Sequence, residues 1–283
     1  MNTKEPTRLI VNADDFGRSE SVTLGVIEAS RRGIVSSTSI VANGLAFDLA
    51  AEYAGSTGQL GVGVHLCLDE YEPVSDPGDI PTLCRPNGGF APRFQTFLKL
   101  LIPGRIDLSE VEREWDAQIA KCVGAGVALT HLDGHGHCHV HPALLGVVQR
   151  LAKKYRITRV RLPMEPLSQL TNVFKLPRHT KQALLYVSCL RAKSAWQSHL
   201  HYPDRFYGFS TGGRLTPAEL ASVLGRLQPG VNELMVHVAL DDDDPFGVKY
   251  HWRSADFETV VAWSKQMLQT EHDIAIVSYR EAW

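Results

Sequence analysis

Residues 131–142 read HLDGHGHCHVHP and hold five of the 12 histidines in this chain of 283 residues. Each of these histidines, and Asp133 with them, occupies an odd-numbered position. Side chains alternate between the two faces of extended backbone, so residues at alternate positions can converge on one point. Imidazole is the commonest metal ligand and titrates near neutral pH. The spacing therefore predicts a functional cluster; the alternative is a polar, histidine-rich loop.

On both sides of this stretch the sequence alternates between strand and helix patterns. Apolar runs predict strands at 8–12, 35–42, 61–68, 127–133, 157–162, 232–240 and 274–278. Helical spacing predicts helices from Ser19 to Gly33, over 46–54, from Pro142 onward and over 255–268. Repeated strand–helix units predict a parallel sheet with helices outside it. A single α/β barrel of this length is ordinary, so one domain over residues 1–283 is expected.

Two long segments interrupt that alternation. Residues 69–108 are rich in proline and glycine, and residues 164–203 are polar at first and then basic and amphipathic. Long insertions of this kind often form lids or walls of a substrate site. The alternative is that they are surface insertions without a functional role. Capping boxes predict a helix start at Ser109 with Glu112, and another at Thr216 with Glu219.

Composition excludes several classes of protein. The net charge of −2 argues against a general nucleic-acid binder, which needs a basic face. Five cysteines without a CxxC pair argue against a disulfide framework. The polar start of the chain lacks the apolar stretch of a signal peptide, and no run approaches the length of a membrane span. We therefore expect a reduced, cytoplasmic protein.

Charged and imidazole side chains gather where the predicted strands end. Active sites of parallel α/β folds lie at the carboxyl ends of the strands. The residues found at or near these ends are Asp14, Asp15, His65, Asp133, His135, Arg161 and His237. We expect them to form one site.

The chemistry of this group suggests a metal-dependent hydrolase. Two adjacent aspartates that face the same small volume cannot both ionise freely, because like charges disfavour each other. A cation relieves that conflict, since one carboxylate can ligate it while the other remains free as a base. Two imidazoles and one carboxylate form a facial site with open positions for water. Such a centre lowers the pKa of water and polarises a carbonyl, which favours hydrolysis.

Three motifs resemble those of one family. IVNADDFG at 10–17, GVHL at 63–66 and THLDGHGHCH at 130–139 are similar to the YdjC-like carbohydrate deacetylases, which include chito-oligosaccharide deacetylases and deacetylases of hopanoid biosynthesis. The resemblance implies a distorted TIM-like (β/α) barrel of about seven strands, with both insertions on its active face. It also implies one divalent metal ion and hydrolysis of an N-acetyl group from an amino sugar or glycolipid.

The same resemblance assigns roles to single residues. It makes Asp15, His65 and His135 the metal ligands and Asp14 the general base. Arg161 would orient that base, and His237 would protonate the leaving amine. Three further residues would support the ligands or contact the substrate, namely Asp133, His137 and His139. Ligand softness favours Zn²⁺, whereas the family also leaves Mg²⁺ open.

One departure from the family pattern concerns His237. The family often follows this histidine with Pro-Gly, whereas here Val238-Ala239 follow and then four aspartates at 241–244. The loop after this strand is therefore expected to differ in shape. The simplest interpretation of the aspartates is a solvated loop, and the alternative is a second cation site.

Two other functions and one location stay open at this point. A metal-dependent phosphoesterase or other amidohydrolase would use similar residues, but phosphate would call for more basic side chains. A non-catalytic metal-binding protein would not need Asp14. The stretches Phe94–Ile102 and Lys181–Trp196 combine apolar and basic residues. They predict peripheral contact with an anionic membrane and a lipid-linked sugar, or else simple packing on the barrel. Homo-oligomerisation also stays open.

Overall fold

The computed structural model describes residues 5–100, 102–165, 178–211, 214–243 and 251–283. Its centre is a parallel sheet of seven strands. The strands are β1 (Thr7–Phe16), β2 (Ser37–Ile40), β3 (Gly61–Leu66), β4 (Leu129–Gly134), β5 (Arg205–Tyr207), β6 (Gly230–Val236) and β7 (Ile274–Ile276). Six of them lie in the order β4-β3-β2-β1-β6-β5, with β4 and β5 at the two edges, and β7 pairs with the first residues of β1.

Single bridges link the two edges of the sheet across residues 157–162. Leu132 of β4 pairs with Val160, and Arg159 pairs with His201, which lies four residues before β5. The sheet therefore curls into a distorted barrel, as predicted. The prediction of a regular strand at 157–162 is wrong. Pro203 has no N–H to donate, so the pairing on that side cannot continue as a ladder.

The helices surround the sheet. They are α1 (Glu20–Arg32), α2 (Phe47–Ser56), α3 (Arg93–Leu100), α4 (Leu108–Gly124), α5 (Leu145–Lys154), α6 (Arg178–Trp196), α7 (Pro217–Leu224), α8 (Arg253–Ala262) and α9 (Lys265–His272). Within the described part of the chain, none of them is both long and apolar enough to cross a membrane.

Three helix starts were predicted from a capping side chain, and two of them are confirmed. The hydroxyl of Ser19 accepts from the N–H of Val22 at the start of α1, and Thr216 forms its capping box with Glu219, so both predictions are confirmed. The capping box at Ser109 is wrong, because Asp107 caps α4 and accepts the N–H of Ser109 itself. A carboxylate two residues upstream competes successfully for that cap.

The helix predicted over 255–268 is divided into α8 and α9. Trp263 is extended, with φ −103° and ψ 133°, and the hydroxyl of Ser264 accepts from the N–H of Met267. Serine side chains satisfy the first N–H groups of a helix, so a new helix starts here instead of the old one continuing. Strand β5, only three residues long, was not predicted.

Candidate active site

The two consecutive aspartates at the end of β1, Asp14 and Asp15, contact different partners. Asp15 has a left-handed backbone, with φ 68°, and the pairing of β1 with β2 shifts between Ala13 and Phe16. A left-handed conformation costs about 1–2 kcal/mol for a residue with a Cβ. The bend lets Asp14 contact Arg161 while Asp15 contacts His65 and His135. Strain of this kind is typical of functional sites.

Asp15, His65 and His135 form a tight buried cluster. Oδ1 of Asp15 lies 3.6 Å from Nε2 of His65 and 3.4 Å from Nδ1 of His135. The two imidazole rings stand edge to face, with their centroids 5.5 Å apart. One ligand atom from each of the three residues lies within 4.8 Å of the others. The structure therefore brings together the three side chains that the resemblance named as metal ligands.

Cations surround the carboxylate of Asp15. Its Oδ2 accepts from Nη2 of Arg253 at 2.6 Å. Burial by itself would raise the pKa of Asp15, but Arg253 and His135 outweigh burial and hold that pKa well below its usual range. Asp15 is therefore ionised. Its other oxygen, Oδ1, is buried and has no hydrogen-bond partner among the described residues.

Each of the two histidines has a second carboxylate behind it. Nδ1 of His65 lies 2.9 Å from Oδ1 of Asp133, and Nε2 of His135 lies 3.4 Å from Oε2 of Glu70. Burial lowers the pKa of His135, but the neighbouring carboxylates of Asp15 and Glu70 raise it to about 10. Without a metal ion this imidazole is therefore protonated at neutral pH.

Glu70 was not among the predicted site residues. It lies past the carboxyl end of β3, and its own carboxylate accepts from Nη1 of the fully buried Arg18 at 2.7 Å. Burial would raise the pKa of Glu70, but His135 and Arg18 lower it to about 2. The available signal was the pair of acidic residues after β3, Asp69 and Glu70, at a strand end that already carried His65.

Arg161 links the carboxylates of Asp14 and Asp133. Its guanidinium donates two hydrogen bonds to Asp14, at 2.6 and 2.7 Å, and lies 2.8 Å from Oδ2 of Asp133. Nε of Arg161 also donates to Oε1 of Glu233 at 2.8 Å. A bidentate pair fixes the plane of a carboxylate, so Asp14 is held in one orientation.

Glu233, on β6, was also missed by the sequence interpretation. Burial raises its pKa to about 7, although Arg161 and the hydroxyl of Tyr279 act in the other direction. Tyr279 donates to Oε2 of Glu233 at 2.7 Å. Glu233 is therefore the third carboxylate in contact with the guanidinium of Arg161, after those of Asp14 and Asp133. A glutamate inside a predicted buried strand was the signal that could have revealed it.

His237 follows β6 and is half-buried. Burial lowers its pKa to about 4, against the opposing effect of the charges on Asp14 and Asp15. The negative charges of Asp14 and Asp15 therefore act on the imidazole of His237. The loop after it is anchored: the N–H of Leu240 donates to the carbonyl of Ser21, and Asp242 holds both the N–H and the hydroxyl of Ser254.

The histidine stretch does not remain extended. Gly136 and His137 both have left-handed backbones, with φ 55° and 61°, so the strand ends at Gly134 and the chain coils. The alternating arrangement therefore holds only from His131 to His135. Small residues favour this bend, because glycine adopts positive φ without strain.

The remaining histidines have separate surroundings. His131 is fully buried and stacks on Tyr279 with ring centroids 3.7 Å apart, and burial lowers its pKa to about 3. A Cβ at Gly63 would lie 2.5 Å from the His131 ring. His137 packs against Phe206 and Phe209. These contacts make His131 a core residue.

The sequence leaves two roles open for Asp133 and His139, support of the ligands or contact with the substrate. The geometry favours support. Both residues are fully buried. Asp133 accepts from the hydroxyl of Ser39 at 2.6 Å and contacts both His65 and Arg161. Nε2 of His139 lies 3.0 Å from the carbonyl oxygen of Arg161. His137 lies against the rings of Phe206 and Phe209, whereas His139 stacks on Trp196.

The first cluster fits a divalent cation. It offers the unpartnered Oδ1 of Asp15 and two imidazoles whose other nitrogens face carboxylates. A second grouping of ligand atoms, on Asp14, His65 and Asp133, is also compact. There, however, Arg161 already contacts both carboxylates. The guanidinium thus takes the place that a cation would need in the second grouping.

Comparison with known proteins identifies the family of this chain. The sequence profile of the YdjC-like proteins matches residues 8–275. The chain belongs to the YdjC-like family. A relative from Geobacillus stearothermophilus, named carbohydrate deacetylase, is 30% identical over 98% of both chains. Another from Brevibacillus brevis, with the same name, is 45% identical over 55% of this chain and 59% of its own length.

A solved structure with a similar sequence has the same overall fold. It comes from Enterococcus faecalis V583, and its description is that of a candidate cellobiose-phosphate cleavage protein. The TM-score is 0.73 at 27% identity, over 97% of this chain and 98% of the other. The alignment therefore spans the barrel and the segments that carry the acidic and histidine cluster.

Proposed function

We propose that this YdjC-like protein hydrolyses the N-acetyl group of an acetylated amino sugar and releases acetate. The observation that carries the proposal is the pair of adjacent aspartates with different partners. Asp15 belongs to a cluster suited to a cation, while Asp14 is held by Arg161 outside it. The names of the relatives supply the class of substrate.

Asp15, His65 and His135 would hold one divalent ion, with Zn²⁺ favoured over Mg²⁺ by the two imidazoles. A cation bound there would polarise the acetamide carbonyl and stabilise the negative charge that develops on its oxygen. We propose Asp133 and Glu70 as the groups that orient the two imidazoles. Carboxylates in this position fix the tautomer and direction of a ligating histidine.

Asp14 would take the proton from the attacking water. Its two oxygens accept from Arg161, which fixes the plane of the carboxylate. Asn12 donates a further hydrogen bond to Asp14 at 2.9 Å. A carboxylate held in this way is already oriented when the substrate arrives, which lowers the entropic cost of the proton transfer.

His237 would deliver a proton to the departing nitrogen. Burial keeps this imidazole neutral at pH 7, with a pKa of about 4. The proton that it delivers must therefore arrive during the reaction, and the protonated Asp14, whose charge acts on this imidazole, would be its source. Acid and base roles then belong to two groups with different environments. His137, beside Phe206 and Phe209, would contact the sugar.

The geometry offers little for a phosphoesterase. The guanidinium groups of Arg18, Arg161 and Arg253, which reach the cluster, each already contact a carboxylate. A phosphate ester would need uncommitted cations at the reacting centre. A non-catalytic metal-binding protein would not need the Arg161–Asp14 pair.

The test is acetate release from a panel of N-acetylated sugars, with phosphate release from sugar phosphates measured in parallel. Wild-type protein should release acetate, and the double variant His65→Ala/His135→Ala should not. Phosphate release without acetate release would replace the proposal with the phosphoesterase. No release of either product by metal-loaded wild-type protein would leave the metal-binding alternative.

A further inference from the structure

Helix α6 (Arg178–Trp196) presents an apolar face that the rest of the described protein does not cover. Leu184, Val187 and Leu190 are exposed to 53%, 50% and 48%. They lie three residues apart, so they form one strip along the helix. Most large aliphatic side chains of this protein are buried, and a contiguous apolar strip on a surface usually marks an interaction site.

The opposite face of α6 is firmly attached. Cys189, Ala192 and Trp196 are fully buried, and Nε2 of Gln149 on α5 donates to the carbonyl of Ala195 at 2.9 Å. Trp196 also stacks against His139 of the histidine stretch, with ring centroids 6.4 Å apart. The exposed strip therefore belongs to a fixed helix whose last turn packs beside the candidate active site.

The charge of α6 is entirely positive. Its 19 residues include Arg178, Lys181, Arg191 and Lys193 but no aspartate or glutamate, in a chain whose net charge is −2. Arg191 is exposed and follows Leu184 by seven residues, so it lies on the same side of the helix as the strip. Apolar side chains bordered by cations complement the surface of an anionic membrane.

A second copy of the chain fits this face less well. A two-fold symmetric contact would bring each strip against the other, and with it the cations of two helices that contain no acidic partner. Three half-exposed aliphatic side chains also offer much less than the about 800 Å² per partner that a stable dimer buries.

We propose that the exposed face of α6, defined by Leu184, Val187, Leu190 and Arg191, binds an anionic lipid surface. Resting on the proposed function, this contact makes an acetylated sugar attached to a lipid the preferred substrate. The apolar strip enters the interface between headgroups and acyl chains, while Arg191 contacts the headgroups. The helix then holds the candidate active site close to the membrane surface.

The experiment measures co-sedimentation of the full chain with vesicles, in the absence of substrate. Vesicles that contain phosphatidylglycerol should bind the protein, and vesicles of phosphatidylcholine alone should bind it much less. The double variant Leu184→Ser/Val187→Ser should bind about tenfold more weakly. Arg191→Gln should bind about fivefold more weakly, and salt should weaken wild-type binding.

Val123→Ser is the matched control. Val123 is 48% exposed on α4, close to the 50% of Val187, and it lies just before β4, at the opposite end of the barrel from the active site. This variant should bind vesicles like the wild type. Equal losses for Val123→Ser and the α6 variants would overturn the proposal, as would the absence of any preference for anionic vesicles.

Two further measurements separate the outcomes. Acetate release from a free N-acetylated sugar should be the same in the α6 variants and the wild type, whereas release from its lipid-linked form in anionic vesicles should fall in the variants. Sedimentation velocity should show no change of oligomeric state. A wild-type dimer that dissociates in Leu184→Ser/Val187→Ser would assign the face to a second copy and overturn the proposal. Vesicle binding without any acetate release would contradict the proposed function alone.

Discussion

Glu70 and His135 are joined by a contact of 3.4 Å between a carboxylate oxygen and Nε2. The same relationship exists between Asp133 and His65, at 2.9 Å, on the other side of Asp15. Both imidazoles of the cluster thus have one nitrogen toward Asp15 and the other toward a supporting carboxylate. This symmetry is typical of ligating histidines.

The first prediction tests Glu70 as a support of the proposed metal site. Glu70→Gln should weaken Zn²⁺ binding about tenfold or more, because the amide no longer stabilises the imidazole with a full charge. Competition with a chelator of known affinity measures this directly. Glu72→Gln is the control, since Glu72 is exposed and two residues away. Equal affinities in Glu70→Gln and Glu72→Gln would remove Glu70 from the site.

The second prediction separates the base from the ligand. Asp14→Asn should lower kcat by about 100-fold or more while it retains the metal, because a general base contributes at least that factor. Asp15→Ala should lose the metal together with the activity. Metal content and kcat are measured on both variants, and thermal unfolding checks that each one folds. An Asp14→Asn enzyme with nearly wild-type kcat would move the base elsewhere, for example to His137 or His139.

The third prediction concerns the pH dependence of metal binding. The pKa of His135 is raised to about 10 in the metal-free protein, so a proton must leave this imidazole when the metal binds. The apparent affinity should therefore increase as the pH rises from 6 toward 9 (about one proton released per ion). Calorimetry in two buffers of different ionisation enthalpy counts the released protons. Affinity independent of pH would exclude His135 as a ligand.

The fourth prediction concerns stability away from the site. Asp256, in the first turn of α8, is buried and accepts the N–H of Leu215 at 2.9 Å. Burial raises its pKa to about 7, whereas in the unfolded chain the carboxyl has the ordinary value of about 3.9. The folded state therefore binds the proton more tightly, and this contribution to stability is lost as the pH rises from about 4 through 7.

Asp256→Asn removes that ionisation and keeps an oxygen that can accept from Leu215. The variant should be more stable than the wild type at pH 8, by an amount on the order of 1 kcal/mol, and the difference should vanish near pH 4. Urea unfolding at both pH values measures it. A variant less stable than the wild type at pH 8 would show that Asp256 is stabilising in its ionised form.

Periodicity alone predicted most of the architecture. Apolar runs separated by helical patterns identified β1 to β4, β6 and β7, because burying both faces of a parallel strand requires such runs. It could not predict β5, which has only three residues, or the division between α8 and α9, where one serine side chain decides the backbone. Short elements depend on neighbours that the local sequence does not reveal.

The sequence by itself also determined which residues reach the candidate site. Asp14, Asp15, His65, His135 and Arg161 could be named because strand ends meet at one edge of a parallel sheet. Only the tertiary structure decided which of these residues contact one another. The left-handed backbone at Asp15 sends the two aspartates to different partners, and the coil after Gly134 separates His137 and His139 from His135. Glu70 and Glu233 join the site through contacts with residues distant in sequence, and no local pattern encodes such contacts.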